Sequence, residues 1–309
     1  MRTSFSLLLA AMMLGGCATS PSTSSLNHFY DYQLNSPQGQ SLSLQKLPSE
    51  LLTADVILIG EWHTHPGVHR FQTDLLHTLS SQHSVALSME QFTRDKQPVL
   101  NQYLAGEIGE QPLMSEGNAW PNYESDYRPL VELAKRQGLD VIAANAPKAI
   151  VRCIGRQGIG YLDKLDETER HYLAAEINTA DSLYKDKFMA SMHHGQPEQT
   201  ERQYAAQITW DETMAESIVN YRKAHPQTQI VHIAGKFHTE GGLGTANSIL
   251  RRAPELKVVV ITPVASLSEK NGSDYQLQVL EPPVRYVQQS NRMKAYQALK
   301  NRNDELVCK

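Results

Sequence analysis

Near-continuous apolar runs rich in β-branched residues constrain this chain most: "VILIG" at 56–60, "VALSME" at 85–90, "VIAANA" at 141–146, "IVHIAG" at 230–235 and "VVVIT" at 258–262. A strand with one solvated face alternates apolar and polar residues, so runs without alternation suit strands covered on both faces. Helical patterns lie between them, "HRFQTDLLHTLSSQ" after the first and "YRPLVELAKRQG" before the third. This alternation predicts an α/β fold: a three-layer α/β/α sandwich around a mostly parallel sheet. "YQLQVLE" at 275–281 alternates and reads as an edge strand, and the prolines of "PPVRYVQ" limit pairing beyond it. The stretch from about 148 to 225 carries no strong strand and reads as a helical insertion or lid. Residues 107–126, rich in Gly, Pro and polar side chains, read as a long loop with helical pieces, a kind of segment that is often functional.

The N-terminus reads as a targeting segment. "MRTSFSLLLAAMMLGGC" has one arginine, an apolar run too short to span a membrane comfortably, and then small residues before a cysteine. Leu14-Gly15-Gly16-Cys17 resembles a bacterial lipobox, which implies cleavage after residue 16 and lipidation of Cys17; the other reading is an ordinary signal peptide. Ala18 in place of an aspartate points to the outer membrane as the destination of the anchored chain. Residues 1–16 are thus expected as a signal peptide, 17–26 as the lipidated cysteine and a flexible tether, and 27–309 as a single domain. Net charge is −4 and basic residues are scattered, which argues against a nucleic-acid partner. Cys153 and Cys308 are compatible with a disulfide in an oxidising compartment and equally with two separate thiols.

Ligands of parallel sheets collect outside the carboxyl ends of the strands. Glu61 and His63 fall just past the first run, Glu90 closes the second, Asn145 the third, and His238 follows the fourth. Two carboxylates, two imidazoles and an amide suit a divalent metal site or general acid–base catalysis. The glycines ahead of these motifs would let the backbone turn sharply off the strand. His69 shares a helix face with Gln72 and Thr73 and could point into the same pocket, whereas His65 and His77 read as surface.

Five segments in order, "LIGEWHTHPGVHRFQTDLL", "LSMEQF", "YRPLVELAKRQGLDVIAANAP", "QITWDETMAESI" and "HIAGKFHTEGGLG", resemble the ChaN-like haem-binding uptake lipoproteins over about residues 45–265. The wider superfamily includes Tiki-type metalloproteases and erythromycin esterases. The resemblance implies an outer-membrane lipoprotein of haem or iron uptake, served by a haem transporter. It also implies a homodimer that holds haem between subunits, with tyrosine on the iron. Tyr172, Tyr184 and Tyr204 lie in the helical stretch, with His193 and His194 between the last two. Tyr184, Phe188 and Met192 share one helical face that could cover a porphyrin or pack as ordinary core. Tyr184 with His193 is the leading ligand pair and Tyr204 the runner-up. No CxxCH motif is present for covalent attachment. The alternative is a hydrolase built on two GxxH motifs, Gly60-Glu61-Trp62-His63 and Gly235-Lys236-Phe237-His238. It would use a metal-activated water, with Glu61, His63, Glu90 and His238 as the metal site, or His63 as base oriented by Glu61 or Glu90.

Overall fold

Alternate residues of each apolar run face opposite sides of one sheet. Ile57 and Ile59 enter one core with Leu87, Met89, Val231, Ile233 and Ile261, while Val56 and Leu58 enter another with Ile230 and Val260. Burying such a side chain fully contributes about 1.5–3 kcal/mol, so a two-sided strand forms a strong core on both faces. The protein is represented by a computed structural model that describes residues 26–192, 196–268, 272–303 and 306–309. Cys17 and the pair His193–His194 lie outside the described residues.

The strands are β1 (Tyr32–Asn35), β2 (Val56–Glu61), β3 (Val85–Thr93), β4 (Val141–Asn145), β5 (Gln229–Gly235), β6 (Val258–Val264) and β7 (Tyr275–Val279). They form one sheet in the order β1-β7-β6-β2-β5-β3-β4, and only the β1–β7 pairing is antiparallel. One layer holds α1 (Pro66–Ser80) and α2 (Arg128–Gln137), whose Phe71, Leu75, Leu79, Leu130 and Val131 share the first core. α1 begins with Pro66 in its first turn, where the missing N–H costs nothing. α2 stops at Gly138, whose φ of 66° is the left-handed cap that glycine adopts without strain. The chain then forms α3 (Lys148–Gln157), α4 (Leu183–Ser191), α5 (Pro197–Ala224) and α6 (Thr245–Arg252). Ala215, Ile218 and Val219 of α5 and Ile249 of α6 cover the second face. The expected three-layer α/β/α sandwich is therefore present.

Two expectations change. β7 is interior, because the short β1 pairs outside it and is the edge strand. The stretch 148–225 is helical, but its last helix is no lid: α5 lies on the sheet as the crossover into β5. The question of the cysteines is settled too, since Cys153 on α3 and Cys308 near the C-terminus form a disulfide across 155 residues of sequence.

Candidate functional site

The two GxxH motifs lie side by side because β2 and β5 are adjacent and parallel, with Gly60 opposite Ala234 and Glu61 opposite Gly235. Their glycines serve a different purpose from the one the sequence suggests. Neither turns the chain through a positive φ. Each makes room for the other motif. A Cβ on Gly60 would sit 2.5 Å from Thr239 Oγ1 and 3.3 Å from Lys236 Cα, and one on Gly235 would sit 2.8 Å from Cε1 and 2.9 Å from Nε2 of His63. Strand β5 then passes into a single helical turn, Lys236–Thr239, that carries Phe237 and His238.

Glu61 is a buried carboxylate saturated with donors. It accepts from Gln72 Nε2 at 2.8 Å, Gln91 Nε2 at 3.0 Å and Tyr127 Oη at 2.7 Å, and its Oε1 lies 2.8 Å from His63 Nδ1. Burial alone would raise its pKa, but the His63 hydrogen bond, the nearby imidazoles and Gln72 hold it below the usual carboxylate value. Burial pulls the His63 pKa down, and the Glu61 hydrogen bond with the Glu90 and Glu61 charges outweighs it, so the net shift is upward. The His63 side chain remains 42% exposed. Trp120 packs edge-on to its ring at 5.0 Å, and Asn122 Nδ2 donates to its carbonyl at 2.8 Å.

His238 forms a second carboxylate–imidazole pair. Its Nδ1 lies 3.0 Å from Asp211 Oδ2 and its Nε2 3.6 Å from Glu90 Oε1. Burial works against its charge, but the Asp211 and Glu90 carboxylates push its pKa up to about 9. Asp211 also accepts from Tyr184 Oη at 2.8 Å and Thr245 Oγ1 at 2.7 Å, and Glu90 Oε2 accepts the Gly235 N–H at 2.6 Å. Gly244 permits this convergence, since a Cβ there would meet the His238 carbonyl at 2.4 Å and Asp211 Oδ1 at 2.8 Å.

His63 and His238 face a cleft of about 840 Å³. Phe29, Trp62, Phe237 and Val284 give it apolar walls, and Lys236 and Arg285 add cations. His65, expected at the surface, is 3% exposed and lines the cleft, with Nε2 2.8 Å from the Leu280 carbonyl; His77 is exposed as expected. His69 turns inward to support Glu61, with Nε2 3.1 Å from the His63 carbonyl and Nδ1 3.0 Å from Gln72 Oε1. Asn145 lies outside the cleft: its Nδ2 donates to the Glu90 carbonyl at 3.0 Å and its Oδ1 accepts from Ala146 N–H at 2.8 Å. Glu61 with His63 and Asp211 with His238 thus form two carboxylate–imidazole pairs, and Glu90 lies 3.6 Å from His238 Nε2. Among the described residues no group of three or more His, Cys, Asp or Glu side chains is disposed to hold a metal ion.

The helical tyrosines are placed behind the cleft. Tyr184 and Tyr204 are each 1% exposed and cluster with Phe188 and Ile208 against Phe237. Burial and the Asp211 charge raise the Tyr184 pKa well above its ordinary value, which disfavours the phenolate that would bind ferric iron. Met192 falls just past the end of α4, and the shared face of Tyr184 and Phe188 packs as core. Tyr172 is half-buried in a separate cavity beside Arg94 and His171. Reasoning from the sequence missed Asp211, Tyr127, Trp120 and Gln207, whose Nε2 donates to Tyr184 Oη at 3.0 Å; the only signal for Asp211 was an acid inside the quoted segment "QITWDETMAESI".

Residues 47–249 match the family described as "Haem-binding uptake, Tiki superfamily, ChaN". The structure is similar to one titled "Cofacial heme binding to ChaN of Campylobacter jejuni", with a TM-score of 0.63 and 18% identity over 81% of this chain and 98% of that one. An erythromycin esterase mutant, EreC in its open conformation, is more distant, with a TM-score of 0.44 and 13% identity over 86% of this chain and 87% of that one. Protein RETICULATA-RELATED 5, chloroplastic, of Arabidopsis thaliana is 24% identical over 264 residues, 77% of this chain and 35% of that protein. The chain therefore spans about a third of the length of this curated relative. The family match covers well over half of the sequence and takes in both GxxH motifs, β2 to β5 and the start of α6, so this chain belongs to the ChaN family of haem-binding uptake proteins in the Tiki superfamily.

Proposed function

We propose that this chain is an outer-membrane lipoprotein, anchored through Cys17, that binds haem during haem or iron uptake and delivers it to a transporter. The cleft is the observation that carries the reading. Its side chains fit haem: apolar walls at Phe29, Trp62 and Phe237 for the porphyrin, Lys236 and Arg285 for the propionates, and an accessible imidazole at His63. Haem iron accepts histidine as an axial ligand. Glu61 on Nδ1 fixes the ring and leaves Nε2 as the ligating atom, the carboxylate–histidine arrangement that tunes metal-bound imidazoles. His63 therefore replaces buried Tyr184 and Tyr204 as the preferred ligand. Exposed Phe29, Tyr30, Val284, Tyr286 and Val287, in the segments that form the cleft wall, support a homodimer closing over the bound haem.

The test is titration of the purified mature protein with hemin. A shifted Soret band is expected, with affinity about tenfold or more lower in His63→Ala and in Phe237→Ala. Protons and iron compete for Nε2, so affinity falls as pH drops through the raised His63 pKa. Binding that survives His63→Ala unchanged would remove the cleft as the haem site. Cys17→Ser should release the chain from the outer-membrane fraction. A second reading, a metal-free hydrolase with His63 as base, is supported by the two carboxylate–imidazole pairs. It requires turnover of a chromogenic ester that disappears in both His63→Ala and His238→Ala.

A further inference from the structure

We propose that a second cavity, between α3, α4 and α5, is a binding site for an organic anion with an apolar body. The cavity is about 560 Å³ and lies outside the cleft described above, sharing only Gln207 with it. Arg152 and Arg156 come from α3 and Arg202 from α5, and among the described residues no aspartate or glutamate lines the space. The Arg156 and Arg202 guanidinium groups at one cavity, with no lining carboxylate among the described residues, make a positive site that favours an anion.

Two buried polar atoms there lack a partner among the described residues, Arg202 Nε and Gln203 Oε1. Leaving a buried donor unpaired is unfavourable, and a ligand oxygen would satisfy it. The planar guanidinium matches the paired oxygens of a carboxylate or a phosphate. The opposite wall is apolar, with Val151, Phe188 and Trp210. A bare inorganic anion would leave that wall uncovered, so the complementary ligand carries an aromatic or aliphatic body on its anionic head. The Cys153–Cys308 disulfide links α3, which carries Arg156, to the C-terminal segment, and Arg156 donates to the Leu306 carbonyl at 2.5 Å.

Calorimetric titration of the mature protein with 2-naphthoate and 2-naphthyl phosphate tests this. At least one of them is expected to bind at a single site, and the tighter one identifies the head group. Uncharged 2-naphthol and inorganic phosphate should each bind about tenfold or more weakly, and Arg202→Gln should weaken the naphthyl anion by a similar factor. His63→Ala should leave this binding unchanged, which separates the site from the haem cleft. Arg156→Gln, at the exposed mouth, should weaken binding in its turn and covers the case in which Arg202→Gln misfolds. Absence of binding, equal binding of 2-naphthol, or loss of binding in His63→Ala with retention in both arginine variants would overturn the proposal.

Discussion

The environments of two histidines on and just beyond β5 shift their pKa values in opposite directions. His232 is fully buried with Nδ1 2.9 Å from Ser88 Oγ, and burial pushes its pKa down to about 3. His238 is also buried, but Asp211 and Glu90 overcome that burial and push it up to about 9. The sign of each effect on stability follows by linkage. Native His232 lacks a proton that the unfolded chain gains below its ordinary pKa of 6.5, so stability falls as pH drops from there towards 3. Native His238 keeps a proton that the unfolded chain loses above 6.5, so stability falls as pH rises through 9. Each limb has a slope of up to about 1.4 kcal/mol per pH unit. Urea unfolding between pH 4 and pH 9.5 should show a flatter acid limb in His232→Asn and a flatter alkaline limb in His238→Gln. Asp211→Asn should lower the His238 pKa directly, read by its imidazole NMR shift. An unchanged titration would mean that Asp211 does not hold that charge.

At the scale of elements, the site exists because β2 and β5 meet glycine to neighbour. Gly60→Ala places its Cβ against Thr239 Oγ1 and the Lys236 backbone, and backbone in the turn after β5 cannot rotate away. We expect a loss of about 1–3 kcal/mol, the usual cost of overpacking, seen as a lower thermal midpoint. Gly235→Ala clashes with the His63 ring and meets Glu90 Oε2 only at an ordinary 3.6 Å, so it should displace that ring and weaken hemin binding more than it weakens the fold. A Gly60→Ala variant as stable as the parent would show that the motifs do not interlock. This pairing also explains how much the sequence discloses. The strands of the sheet's centre were legible because both faces are buried and their runs are uninterrupted. β1 was not: Tyr32–Asn35 is four residues long, mixed in polarity and half-buried. Glu61, His63 and His238 were legible as chemistry at strand ends. Asp211 was hidden because an acid in a long helix reads as solvated, and its burial arises only where α5, α6 and the turn after β5 meet. His65 misled for a similar reason, since it is buried by residues 29 and 280, far away in sequence.

At the scale of the whole molecule, the Cys153–Cys308 disulfide closes a loop of 155 residues that contains α4, α5, α6, the strands β5 to β7 and much of the site. Non-covalent contacts fasten the same end. Arg156 donates to the Leu306 carbonyl, and Lys309 Nζ lies 3.2 Å from Asp166. The latter is an exposed pair worth little by itself, so the covalent link dominates. Closing a loop this long restricts the unfolded chain, and disulfides of this kind contribute about 2–5 kcal/mol. Cys308→Ser, or reduction of the parent, should lower the denaturant midpoint by a corresponding amount and expose residues 306–309 to proteolysis before the sheet opens. Compartment enters here, because thiols persist in reducing cytosol and pair after export. Protein recovered from the cell envelope should show no reactive thiol at Cys153 or Cys308 on denaturation. The same chain made in the cytosol without its first 16 residues should show both, together with the lower midpoint. Equal midpoints for the two preparations, with their different thiol counts, would mean that the core alone sets stability and that the link acts locally, on α3 and the anion cavity it borders.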